Sequence, residues 1–226
     1  MNEIIEKLKG GLIVSCQARP GNPLRGPEHM SVMAIAAEMG GAVAIRADGP
    51  RDIPAIKRVV SIPVIGIYKT HPNPDYPYIT PTFEQAKALA DMGVEIIALD
   101  ATLRPREDKS DVAELIGRIK RELDVLVMAD IATFEEGVAA AKAGADIVAT
   151  TLSGYTTYTP FTKEPDLELV RRLKAAIDTP IIAEGRYNSP EELKAGIEAG
   201  AHAVVIGKAI TNVQFITQRF IEEAGL

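Results

Sequence analysis

The segment "DMGVEIIALDA", residues 91–101, ends one amphipathic run and starts an apolar one, with a glycine between them. Three further segments repeat the pattern: "EMGGAVAIRA" (38–47), "KAGADIVATT" (142–151) and "EAGAHAVVIGKA" (198–209). The echoes recur about every 50 residues. Their apolar halves lack the polar alternation of a strand with one wet face, which predicts burial on both sides in a parallel sheet. A unit of two strands and two helices, reused along the chain, is the simplest source of such spacing.

Between the echoes lie the remaining strands, several led by a proline or an "ELD". The full predicted set is 11–17, 41–47, 63–69, 95–101, 124–130, 145–151, 180–186 and 203–209. Amphipathic runs follow each of them, at 31–39, 51–60, 82–92, 110–123, 133–143, 165–177, 189–199 and 211–224. Several open on a capping hydroxyl, and Thr133 with Glu136 reads as a capping box. Eight strands, each with a following helix, predict one closed (β/α)8 TIM barrel over residues 1–226, with a short N-terminal helix ahead of it. An open Rossmann-like sheet is the alternative, but "SCQARPGNPLRG" after the first strand lacks the G-x-G-x-x-G turn.

The net charge of −6 argues against a broad nucleic-acid or membrane surface while leaving room for a local anion pocket. The single cysteine, Cys16, excludes an internal disulfide and fits a reducing, cytoplasmic setting. The first residues, "MNEIIEKLKGG", lack the apolar core of a signal peptide.

In a barrel of this kind the chemistry belongs to the C-terminal ends of the strands. Those ends read Gln17, Arg46, Lys69, Asp100, Asp130, Thr150 with Thr151, Glu184 and Lys208. Lys69 and Glu184 close the third and seventh strands, which face each other across a ring of eight. A cavity between them would offer two proton-active groups to one small molecule. Burial and a neighbouring Arg46 would bring the lysine down toward a useful range, and Arg46 suits a developing enolate oxygen. Gln17, Asp130 and Thr151 suit hydroxyl or amide groups. Gly185 and Gly207, just past the last two strands, suit a phosphate held by backbone amides, with Arg186 and Lys208 nearby as sources of charge. Both glycines would equally serve as tight turns.

A catalytic metal would need histidines and carboxylates converging from strand ends. His29, His71 and His202 all lie elsewhere, and Cys16 reads as a small core residue. The proline-rich stretch "THPNPDYPYITPT" (70–82) suits a cover over the barrel mouth, with Asp75 and its tyrosines within reach of a ligand. "TTLSGYTTYTP" (150–160) could add sugar-binding hydroxyls.

Taken together, "GLIVSCQA", "PLRGPEHMSVMAIAAEMGGAVAIRADG", "PVIGIYK", "MADIAT", "TTLSGYT", "AEGRYNSPEE" and "VVIGKAIT" resemble the N-acetylmannosamine-6-phosphate 2-epimerase family along almost the whole chain. The resemblance implies a ribulose-phosphate-binding type of barrel in amino-sugar and sialic-acid breakdown. It implies cofactor-independent interconversion of N-acetylmannosamine 6-phosphate and N-acetylglucosamine 6-phosphate, and a homodimer. It also implies Lys69 as the group moving the C2 proton and Glu184 as the second catalytic carboxylate. Gln17, Arg46 and Asp130 would lie on the sugar, and Gly185 and Gly207 on its phosphate. One position departs: where the family carries the phosphate arginine of "GAITRP", this chain has Asn212, leaving the charge to Lys208 or Arg186. Two rival readings stand beside it: a Schiff-base aldolase using Lys69, and, given Asn212, a catalytically silent phosphosugar-binding or regulatory protein.

Overall fold

The computed structural model describes residues 2–70 and 75–226. Eight strands form: β1 Leu12–Cys16, β2 Ala44–Asp48, β3 Val64–Ile67, β4 Ile96–Asp100, β5 Leu126–Asp130, β6 Ile147–Ala149, β7 Ile181–Glu184 and β8 Ala203–Ile206. Each pairs in parallel with its sequence neighbours, and β8 returns to β1 to close a (β/α)8 barrel. The helices are α1 Glu3–Leu8, α2 Pro27–Met39, α3 Gly49–Lys57, α4 Phe83–Asp91, α5 Val112–Glu122, α6 Phe134–Lys142, α7 Leu167–Ala176, α8 Pro190–Glu198, α9 Lys208–Thr211 and α10 Val213–Ala224. Among the described residues, no helix is long and apolar enough to cross a membrane.

Strand side chains alternate between faces, so each strand feeds two separate cores. The outward set, including Val14, Ile45, Ala47, Ile97, Val127, Val148 and Val204, packs under the helices. The inward set, including Ile13, Ala44, Ile65, Ile96, Met128, Ile147, Ile182 and Val205, fills the barrel. Ile5 and Leu8 of α1 join that inner cluster. They close the N-terminal end of the barrel, where His202 Nε2 lies 2.7 Å from the Ile5 carbonyl oxygen. The apolar burial that holds the fold thus seals one end and leaves chemistry to the other.

Every predicted strand forms, but each is shorter than its apolar run. Arg46 lies inside β2, two residues before its end, whereas Lys69 lies two residues beyond β3. There Lys69 bridges Ile79 in antiparallel fashion, which extends β3 as a local hairpin. Lys208 opens α9 and does not close a strand. The hydroxyl expected to cap α5 gives way to Asp111, whose carboxylate accepts from the Ala113 and Glu114 amides, while Ser110 turns to Asp108. The expected last helix breaks in two at Asn212, which ends α9 and accepts from the Phe215 amide to start α10. Residues 71–74, within the stretch expected to cover the mouth and including His71, lie outside the described residues.

Candidate active site

The two-residue period also places the polar groups. Above the apolar inward positions of each strand comes one residue of a different kind: Gln17 after Ile13 and Ser15, Arg46 after Ala44, and Lys69 after Ile65 and Ile67. Asp100 follows Ala98, Asp130 follows Met128, Thr151 follows Ala149, Glu184 follows Ile182, and Gly207 follows Val205. The inward period of all eight strands therefore runs on into one layer at the C-terminal mouth, polar except at Gly207, with β2 contributing Arg46 one step below its last inward residue, Asp48.

Arg46 is the centre of that layer and only 1% exposed. Its guanidinium grips Asp130 with two hydrogen bonds, of 3.1 and 2.6 Å, and reaches Glu184 Oε2 at 2.9 Å. Burial pulls the arginine down, but the two carboxylates more than offset it and hold the guanidinium firmly charged. Thr151 stands between the same two acids, with Oγ1 2.6 Å from Asp130 and 3.2 Å from Glu184. One hydroxyl proton serves one acceptor at a time, so the shorter contact marks Asp130 as its usual partner. Glu184 is left with a share of Arg46 and a long contact to Thr151. Burial, opposed by Arg46 and reinforced by Asp130, raises its pKa to about 7. Thr150 fixes the strand end itself, bonding both the amide and the carbonyl of Glu184.

Lys69 comes from the opposite side of the ring. Its Nζ donates to Gln17 Oε1 at 2.5 Å, and Gln17 Nε2 in turn donates to Ser15 Oγ at 2.8 Å. The residue remains open to solvent, while the protein crowding the mouth desolvates its ammonium. Desolvation pushes its pKa down; Asp48 and Glu184 oppose this, and Arg46 and Arg19 add to it. Lys69 and Glu184 each feel the other's charge, so the two groups expected to face one cavity share one electrostatic environment.

Next to this pair lie the two glycine turns. Gly185 has φ +107° and Arg186 has φ +67°, a reversal that needs glycine at its first position. Among the described residues, no protein acceptor takes the amides of Gly185, Arg186 or Gly207. A Cβ on Gly207 would come within 3.3 Å of Ser15 Cβ, so a side chain would crowd this corner. The structure does not bring the Arg186 guanidinium here. Its Nε donates to the Glu164 carbonyl at 2.8 Å and Nη1 to that of Ser153, against the rings of Tyr155 and Phe161. The Lys208 ammonium lies 4.2 Å from the centre of the Phe215 ring.

A family described as "Putative N-acetylmannosamine-6-phosphate epimerase" matches residues 30–225. The chain belongs to the N-acetylmannosamine-6-phosphate epimerase family. A relative from Caldanaerobacter subterraneus subsp. tengcongensis, called "Putative N-acetylmannosamine-6-phosphate 2-epimerase", is 52% identical over 97% of this chain and 93% of its own. One of the same name from Cutibacterium acnes is 48% identical over 97% and 96%. The solved structure of the N-acetylmannosamine-6-phosphate 2-epimerase from Clostridium perfringens, 45% identical, superposes with a TM-score of 0.94 over 98% of this chain and 96% of that one.

Within this epimerase-family barrel, several polar groups were not singled out from sequence. Ser15 orients Gln17, and the periodicity of "IVSCQ" already puts the two on one face. Tyr78, by contrast one of the tyrosines expected within reach of a ligand, is partly buried over the inner core, and its pKa is raised by burial and by Asp100 and Asp130. Asp48 accepts from the Lys69 amide at 3.0 Å, a pairing between strands that no local pattern reveals. Asp100, by contrast, was a strand-end candidate, but it spends its carboxylate on Thr102 and Arg104 and so braces the β4–α5 loop.

Proposed function

We propose that this protein epimerises C2 of N-acetylmannosamine 6-phosphate to give N-acetylglucosamine 6-phosphate, in amino-sugar breakdown, through an enolate and without a metal or cofactor. The observation that carries the reading is the joint placement of Lys69 and Glu184 around the Arg46–Asp130 pair at the barrel mouth. The C2 hydrogen is acidic only when the sugar ring is open and C1 is an aldehyde. Removing it gives an enolate, and returning a proton to the other face inverts C2. Lys69, its amine lowered by desolvation, takes or gives the proton on one face. Glu184, near 7 and therefore present in both forms at neutral pH, does the complementary work from the opposite strand. Arg46, held by Asp130 and Glu184, supports the enolate with its charge.

Gln17, Thr151 and Asp130 supply polar groups toward the sugar hydroxyls and the acetamido group. The amides of Gly185, Arg186 and Gly207 hold the phosphate, and Lys208 adds charge at its edge. With Asn212 serving as a helix cap, backbone donors carry more of the phosphate than a side chain does. Among the described residues, no three His, Cys, Asp or Glu side chains gather as a metal ion would require.

Proton NMR of N-acetylmannosamine 6-phosphate in deuterated water, with a chelator present, tests the reading. The expected result is loss of the C2 proton signal as the gluco epimer appears, and no gluco epimer formed by Lys69→Met. Epimerisation retained in that variant would remove Lys69 from the mechanism. A borohydride-trapped adduct on Lys69 would instead show an aldolase, and binding with no exchange by the native protein a silent binder.

We also propose that the protein is a homodimer. The apolar side chains of Val213, Phe220 and Ile221 stand 58%, 66% and 45% exposed on α10, a loss of burial that a second copy would recover. Sedimentation equilibrium at micromolar concentration should return twice the 24.3 kDa chain mass; a single-chain mass would refute it.

A further inference from the structure

Asp48 closes β2 and occupies the N-cap position of α3, where an aspartate ordinarily accepts from amides in the first helical turn. It makes no such bond. Its Oδ1 accepts instead from the main-chain amide of Lys69, at 3.0 Å, two residues beyond the end of β3. The β2–β3 ladder stops at the pairing of Asp48 with Ile67, so the carboxylate continues by side chain what the backbone no longer provides. On its other side Lys69 is tied to Ile79 by the antiparallel bridge, and its Nζ is tied to Gln17. Asp48 forms no ion pair among the described residues. It is thus an uncommitted negative charge beside a lysine, held at the cost of an unmade helix cap.

We propose that Asp48 is a positioning residue that aims Lys69 into the barrel mouth and sets the charge state in which its amine meets the substrate. This rests on Lys69 being the proton-transfer group. The other charges facing the ammonium are Arg46 from β2, Glu184 from β7 and Arg19 from the β1–α2 loop. Arg46 is neutralised by Asp130 and Glu184, and Glu184 spends its own charge on Arg46. Asp48 is the remaining anion that keeps the lysine from losing its proton too easily. Burial and the two arginines push the amine down, and Asp48 is the strongest influence pushing it back. Without that opposition the amine would be a weaker base, and less of it would carry a proton at neutral pH for the return step.

Asp48→Asn separates the two roles, because its amide oxygen still accepts from the Lys69 amide while the charge is gone. Competitive labelling of Lys69 with an amine reagent, read by mass spectrometry across pH, measures the titration of its amine without relying on turnover. In Asp48→Asn its midpoint should fall by about one pH unit. The limb of the kcat/KM–pH profile due to Lys69 should move the same way, with the melting temperature nearly unchanged. Asp48→Glu should restore most of the midpoint. A labelling midpoint and pH limb that stay in place in Asp48→Asn would overturn the proposal and reduce Asp48 to a turn-holding group. Failure of the Lys69 reading is distinguishable: Lys69→Met would keep forming the gluco epimer, whatever the labelling midpoint does.

Discussion

Glu184 sits where burial and charge disagree. Desolvation raises its pKa from the ordinary glutamate value of 4.5, Arg46 pulls it back, Asp130 pushes it up again, and the balance falls at about 7. Asp130 has the better half of the shared guanidinium, with two bonds and full burial, so the second acid is the one left able to exchange a proton. The folded protein therefore holds this proton more tightly than the unfolded chain does. That part of the stability is fully present below pH 4.5 and is lost as pH rises through about 7. Glu184→Gln should flatten the fall of melting temperature across this window while lowering the rate by about 10²–10⁴-fold. Thermal melts of both proteins at several pH values check the first part; parallel slopes would show that Glu184 carries no shifted proton. At this scale the sequence was informative about residue identity: Lys69, Glu184, Arg46, Asp130, Gln17 and Thr151 were all singled out, and all reach one layer. Asp48 was not, because its partner is the amide of a residue on another strand.

Among the elements, legibility followed the range of the interaction. Capping is local, and the expected box at Thr133–Glu136 formed, with another at Ser189–Glu192 that was not singled out. The start of α5 shows the limit: Ser110 and Asp111 are adjacent good caps, and the choice went to the aspartate, which takes two amides while the serine hydroxyl is drawn to Asp108. The break at Asn212 is another. "KAITNVQFIT" carries no proline or glycine to announce a stop, yet the Thr211 hydroxyl is bonded to the Ser15 and Gly207 carbonyls, anchoring α9 to the barrel. Asn212 then restarts the chain as α10. Strand boundaries were overestimated for a comparable reason. The apolar runs continue past the ladders because the residues beyond them, Lys69 and Thr151 among these, still point inward although the parallel ladder of the barrel has ended.

For the whole molecule, the fourfold echo was the decisive signal, since a repeat every second strand has an even ring as its natural closure. The barrel separates tasks by height: apolar packing and α1 below, ionisable groups above. That separation is what lets a buried Arg46 be held by its carboxylates without a water-filled core. The proposed phosphate site is the least legible part, since backbone amides carry no residue code and the two charged candidates turned elsewhere, Arg186 to the Ser153 loop and Lys208 to Phe215. The most direct test of the whole arrangement is a crystal structure with the open-chain alcohol obtained by reducing N-acetylmannosamine 6-phosphate at C1. The expected result puts C2 between Lys69 Nζ and the Glu184 carboxylate, with the phosphate on the amides of Gly185 and Gly207. A ligand whose C2 lies out of reach of Lys69, or whose phosphate binds away from those two turns, would contradict it.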